Sequence, residues 1–251
     1  MSDAVGYQHC GHGTDVFVAS NIPHRYPLVL QKPATACRRI RETAETYILD
    51  SGIGDDTTNA DVLALAADLD ADYVIPCDEL HDQAATTAAV EAFLELLEEH
   101  RCTATPLIPL QPPHAKHYRA LSGHSHYCLG GMAFDETTDD QAVRWIREFR
   151  KAAGPDPYVH ALGIGGGSTI VDALAGTGLI DSVDCATPEL AAQFGCVLND
   201  HLGQEPVLIH QGDGLQRRTR PLAEFNAWQI QDAWRREATD SPQQTLSEVV
   251  Q

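Results

Sequence analysis

Lysine is almost missing from this chain. Only Lys32, Lys116 and Lys151 occur in 251 residues, and 17 basic side chains face 36 acidic ones, for a formal charge of −19. In ordinary salt such a surface argues against nucleic acid, because phosphate binding normally needs a basic face. A chain this acidic and lysine-poor fits a high-salt cytoplasm, expected to be that of a haloarchaeon or its virus. There the Debye length shrinks to about 3 Å and surface repulsion is screened. The charge then carries little information about partners. High salt also suppresses binding driven by counterion release, so a nucleic-acid enzyme would depend on shape, hydrogen bonds and local arginines.

Other absences narrow the field further. No run of about 18 apolar residues occurs, so no transmembrane helix and no membrane partner are expected. The opening "MSDAVGYQHCGHG" has no basic segment followed by an apolar one, which predicts no secretory signal and a cytoplasmic location. Cys10, Cys37, Cys77, Cys102, Cys128, Cys185 and Cys196 are scattered and form no C-x-x-C pair. Neither a disulfide framework nor a structural zinc site is signalled, and the cysteines read as small buried hydrophobes. No metal or cofactor is expected. No repeat, low-complexity block or linker divides the chain, so residues 1–251 are expected to form a single domain.

What is present is a regular alternation. Apolar, strand-like runs occupy 46–52, 72–78, 105–110, 126–132, 158–165, 181–187 and 205–210, and "DVFVASNI" (15–22) supplies one more. Between most of them lie helical patterns. Val62, Leu65, Ala66 and Leu69 share one face in 59–69; Val90, Phe93, Leu94 and Leu97 share one in 83–99. Residues 138–151 open on a Thr138-x-x-Gln141 capping-box pattern, and short helices are expected at 112–121, 168–175 and 188–194. A last helix is expected over 222–238. Eight strands separated by helices predict an α/β fold, most economically a compact (β/α)₈ barrel, and the same alternation permits an open doubly wound sheet.

In such folds chemistry collects where strands end. The exits carry Asp50, Cys77-Asp78, Gln111, Gly130-Gly131, Gly163 to Gly167, and Asp184. Asp184 closes an apolar strand in "LIDSVDCATPEL", where a bare carboxylate is expensive unless paired or used. Loop capping is one account of Asp50 and Asp184. Paired carboxylates for attack at a sugar carbon is another. "GIGGGST" (163–169) could cradle a phosphate on its backbone N–H groups, although it lacks a P-loop lysine. "CGHGTD" (10–15) and "HAKHY" (114–118) have histidines at metal-like spacing, and both are expected to be surface histidines.

In their order along the chain these motifs resemble the queuine/archaeosine tRNA-guanine transglycosylase superfamily, whose members are (β/α)₈ barrels. "ILDSGIG" is similar to the family's D-S-G-G-Y segment, "PCDEL" to F-D-E-C, "PLQPP" to V-Q-G, "YCLGGMAFDE" to I-G-G-L-A-V-G-E, and "HALGIGG" to L-M-G-V-G. "LIDSVDCATPELAAQFG" is similar to the family's D-M-F-D-C-V-x-P-T-R-x-A-R-x-G. The collinear stretch spans 46–195, about 60% of the chain. The resemblance implies a pentosyltransferase with Asp184 as covalent nucleophile and Asp50 as general acid and base. It implies that Asp78, Gln111, Gly130, Gly131, Met132 and Leu162 bind the base.

The departures matter as well. Gly54 stands where the family has a stacking aromatic, and Leu162 replaces a methionine. The arginines of P-T-R-x-A-R are absent from 187–191, and only Cys196 remains of a C-x-C-x-x-C zinc motif. Such a compact, zinc-less relative best resembles the branch that inserts 7-deazaguanine derivatives into DNA, often for viruses evading restriction. The expected partners are DNA, with tRNA as the alternative, and a 7-deazaguanine base; a homodimer is an assembly open to it. The rival expectations are a phosphate-binding barrel lyase or aldolase and a catalytically idle base-binding relative.

Overall fold

Residues 6–10, 28–31, 41, 46–52, 57–100, 102–133, 136–207 and 215–240 are described by the computed structural model of the chain. Nine strand segments line up in parallel: β1 (Gly6–Cys10), β2 (Leu28–Gln31), β3 (Thr46–Leu49), β4 (Tyr73–Val74), β5 (Thr105–Pro106), β6 (Ile108–Leu110), β7 (His126–Leu129), β8 (Tyr158–Ala161) and β9 (Ser182–Cys185). Their order is β5-β4-β3-β2-β1-β9-β8-β7-β6. The outermost segments, β5 and β6, are separated by a single residue, Leu107, whose N–H donates to the Val74 carbonyl at 2.9 Å. One hexapeptide, 105–110, therefore pairs with β4 through one half and with β7 through the other.

The strands bury both faces, as parallel strands do. Tyr127, Leu129, Val159, Ala161, Val183 and Cys185 point into a large cluster with Ile146, Phe149, Val171 and Trp234 from the helices. Tyr47, Leu49 and Val74 do the same in a second cluster with Val62, Leu63 and Phe93. The alternate positions turn the other way. Ile48, Ile75, Leu107 and Cys128 are each fully buried, and Tyr73, Tyr158 and Leu162 pack against them. At the strand N-terminal end of this inner file Tyr73 and Tyr158 stack at 5.6 Å between centroids, with His126 against both.

The helices are α1 (Asn59–Leu69), α2 (Gln83–Glu99), α3 (His114–Tyr118), α4 (Asp139–Ala153), α5 (Ser168–Leu174), α6 (Thr187–Gln193) and α7 (Leu215–Asp240). The periodicity located α1 and α2 to the residue. A full capping box appears at α1, between Thr58 and Asp61. At α4 the Thr138 hydroxyl accepts from the Gln141 N–H at 3.3 Å, which is half of the box expected there. The last helix begins seven residues before its expected start, at Leu215, and carries Pro221 inside it. Its buried Ala223, Ala227, Ile230, Ala233 and Trp234 pack on the body of the fold, and that contact outweighs the local break a proline implies. Among the described residues no helix is long and apolar enough to cross a membrane.

One strand expectation needs correction. Among the described residues of "EPVLIH", only Glu205 and Pro206 fall in a strand, Gln204–Pro206 (β11), which pairs antiparallel with Cys196–Leu198 (β10) in a separate two-stranded sheet. The cause lies in the turn between them. The Asn199 side-chain oxygen accepts from the His201 and Gly203 N–H groups at 3.0 and 2.9 Å and reverses the chain locally. The run 15–22 lies outside the described residues. The parallel sheet also takes β1 and β2, which the apolar pattern did not single out.

Candidate active site

Because every strand of the large sheet is parallel, the residues following β3, β4, β6, β7, β8 and β9 emerge on one side. Asp50, Asp78, Gln111, Gly130, Leu162 and Asp184 all occupy that end. Electrostatics locates the three carboxylates relative to one interior atom. The Cys128 thiol on β7 is pushed well above its ordinary value, by complete burial first and then by the negative charges of Asp78, Asp50 and Asp184. All three aspartates thus lie within electrostatic reach of a single sulfur.

Asp184 is the most enclosed of them, 3% exposed. Its Oδ1 accepts from the Gly163 N–H at 2.8 Å and sits 3.2 Å from His160 Nε2. Both contacts fall on the same oxygen, and Oδ2 has no hydrogen-bond partner among the described residues. Its main chain is braced from behind: the Gly165 N–H donates to the Asp184 carbonyl at 2.8 Å, and the Trp234 indole N–H donates to the Gly165 carbonyl at 2.9 Å. A side chain on Gly166 would meet Thr187 at 2.1 Å. The glycine-rich loop therefore spends its backbone and its missing side chains on packing against the exit of β9, which leaves little of it to hold a phosphate.

Asp78 and Gln111 form a second unit. The fully buried Gln111 amide donates to Asp78 Oδ2 and accepts from the His81 N–H at 3.0 Å. Burial, then the charges of Asp50 and Glu79, raise the Asp78 carboxyl to about 7, against the lowering effect of the Gln111 bond. Gln111 itself is held by α3. Its N–H donates to His117 Nδ1 at 2.9 Å, which leaves Nε2–H to bond the Thr87 hydroxyl at 3.0 Å. His114, on the same helix, bonds the Gly130 carbonyl through Nε2 at 2.8 Å. Burial lowers its pKa to about 4, so it is neutral and Nε2 is the donor. The "HAKHY" histidines are therefore not surface groups: both are buried, and they fix the two walls between which Gln111 and Gly130 sit. His12 of "CGHGTD" lies outside the described residues.

The remaining expected site residues divide. Leu162 approaches Gly130, its Cδ1 3.7 Å from where a Cβ would stand there, with Gln111 Nε2 at 3.3 Å on the other side. Gly131 needs to be glycine, since its φ is +71° and a Cβ would come within 2.7 Å of Pro112. The Met132 side chain packs into the large helix-side cluster. Gly54 lies outside the described residues. No protein-family model matches this chain. No curated protein matches it either.

Sequence reasoning passed over His160 and Ser182. Both occupy inward positions of short strands, in step with Leu162 and Asp184, and that two-residue spacing was the available signal.

The Asp78 environment makes a stability prediction. The folded chain holds this proton more tightly than the unfolded one, with a pKa of about 7 against the ordinary aspartate value of 3.8. The group's contribution is therefore most favourable at low pH and is lost as pH rises through about 7. Asp78→Asn removes the penalty while keeping an acceptor for Gln111. At pH 8 the variant is expected to be more stable than wild type by about 1–3 kcal/mol, the gap closing towards pH 4. Urea unfolding at the two pH values measures it; a gap that does not depend on pH contradicts the reading.

Proposed function

We propose that this protein is a base-exchange transglycosylase. It would replace guanine in DNA with a 7-deazaguanine derivative through a glycosyl-aspartate, on a closed (β/α)₈ barrel. The barrel reading is supported by segment 105–110, which borders both ends of the sheet order. The chemical reading is carried by one observation: a buried carboxylate with both hydrogen bonds on Oδ1 and no partner for Oδ2 among the described residues, within electrostatic reach of the same buried thiol as two other aspartates.

In this scheme an Asp184 Oδ2 lone pair forms a bond to C1′ of the target nucleotide. The C1′–N9 bond breaks, its electron pair goes to guanine, and Asp50 gives N9 a proton. A 7-deazapurine then enters and loses its N9 proton to Asp50. Its nitrogen attacks C1′, and the sugar–aspartate bond breaks with its pair returning to Asp184. Asp78 accepts hydrogen bonds from the base edge, and Gln111 keeps it aimed. A pocket built on such buried polar groups rejects bases that would leave them unpaired. The target base has to be flipped out or single-stranded. The acidic, lysine-poor surface suits a high-salt cytoplasm, where shape and hydrogen bonding outweigh long-range attraction. The absence of the family's arginines at 187–191 favours DNA over tRNA.

Labelled guanine incubated with the protein and either single-stranded DNA or tRNA, in molar salt, tests this. Label is expected to enter DNA. Label entering tRNA alone moves the substrate to RNA, and label entering neither removes the proposal.

A further inference from the structure

The base-exchange scheme uses Asp184 but leaves unexplained what stands directly behind it. His160 is fully buried inside the sheet, one strand away from Asp184. Its Nε2 is 3.2 Å from Asp184 Oδ1, its Nδ1 is 2.7 Å from the Ser182 hydroxyl, and that hydroxyl is 2.6 Å from the Tyr158 phenol oxygen. Four polar groups form one line through a core otherwise made of Ile48, Ile75, Leu107 and Cys128. Unused polar groups at such a place are costly.

With Asp184 taken as a carboxylate and the His160 ring as neutral, the line admits one consistent set of proton positions. The Asp184 carboxylate has no proton to give, so His160 Nε2 carries one and donates it. The neutral ring then has a lone pair on Nδ1, which accepts the Ser182 proton. Ser182, having spent its only proton, accepts from the Tyr158 phenol. Burial raises the Tyr158 pKa to about 12, so that proton is present. Every donor in the line has an acceptor.

We propose that Tyr158, Ser182 and His160 form a directed hydrogen-bond relay that locks His160 as the Nε2–H tautomer and makes it the positioning residue for the Asp184 nucleophile. The inference rests on the base-exchange reading for Asp184's role, while the relay itself rests on geometry alone. With the Gly163 N–H, the imidazole N–H holds charge on Oδ1 and turns Oδ2 outward. When the sugar–aspartate bond breaks in the second half-reaction, the same two donors receive the returning carboxylate, which makes Asp184 a better leaving group. His160 touches neither sugar nor base.

Two readouts test the proposal separately. Nitrogen-15 NMR of histidine-labelled wild type at pH 7 is expected to show His160 protonated at Nε2 with Nδ1 as acceptor, and Ser182→Ala is expected to disturb that Nδ1 signal. An Nδ1–H tautomer or an imidazolium overturns the relay, with or without any enzymatic activity. In exchange assays His160→Phe is expected to lower kcat about 100-fold with KM for the base unchanged, since the base is held by Asp78 and Gln111. His160→Gln, whose amide N–H can still donate to Asp184, is expected to recover most of the loss and also serves if the Phe variant does not fold. Unchanged kcat in both variants overturns the positioning role and leaves base exchange standing. A wild type that shows the expected tautomer but transfers no guanine removes base exchange and leaves the relay standing.

Discussion

Asp184→Asn is expected to form no covalent adduct with guanine-containing DNA, and its exchange rate is expected to fall by about 10⁴-fold or more. The amide keeps an oxygen to accept from the Gly163 N–H, so the loop stays in place while the nucleophile is gone. Asp184→Ala is equally inactive by the same argument, but it also removes the partner of the half-buried Gly163 N–H and of the buried His160 Nε2. That difference is expected to cost the Ala variant about 1–3 kcal/mol of stability relative to Asn. Denaturing gels after mixing with DNA report the adduct, and thermal melts report the stability. An adduct that survives in Asp184→Asn refutes the nucleophile outright.

Arg150→Ala is expected to destabilise the fold by about 3 kcal/mol, the largest stability effect anticipated here. Arg150 is 2% exposed, at the end of α4. Its guanidinium donates to the carbonyls of Leu179 at 2.6 Å and Pro157 at 2.7 Å, and more loosely to those of Gly154 and Pro155. It also pairs with Asp181 at 3.0 Å, but the Asp181 side chain is 43% exposed. Solvent therefore takes over for Asp181 when the arginine is lost, while the buried Leu179 carbonyl has no such substitute. The asymmetry is itself testable. Asp181→Asn keeps an acceptor for the Val159 N–H and is expected to cost under about 1 kcal/mol. Arg150→Lys is expected to recover little, because one ammonium cannot span the carbonyls that the planar fork reaches. Chemical denaturation of the three variants measures the ranking, and equal losses in Asp181→Asn and Arg150→Ala contradict it.

How much of this was legible beforehand depended on the length of each signal. α1 and α2 were readable because long periodic segments with clear polar faces identify themselves. Most of the parallel strands were readable as apolar runs, and all of those but the one over 105–110 end earlier than their runs, which continue into the exit loops. β1, "GYQHC", was not readable: a short strand with polar residues and an initial glycine has no apolar run to betray it. β11 was misassigned because nothing in "EPVLIH" says which sheet it joins. That choice was made by Asn199 in the preceding turn.

The site was legible at its exits and illegible behind them. Asp50, Asp78, Gln111 and Asp184 could be singled out because charged or polar residues ending apolar strands are conspicuous. Their supports, His114, His117, His160 and Ser182, are polar residues whose partners lie 6–30 positions away in sequence, and only the folded chain reveals the bonds. Met132 shows the reverse case. The motif drew attention to it as a site residue, while its side chain belongs to the core.

Trp234 sits 50 positions beyond Asp184 and yet is joined to it through two hydrogen bonds and one glycine. A protease that trims the chain back past this indole would leave every acidic group of the site intact and still remove the prop behind one of them. The last helix is thus a tensioning peg for the Asp184 main chain, and its loss would register first as slackness at the exit of β9 rather than as collapse of the molecule.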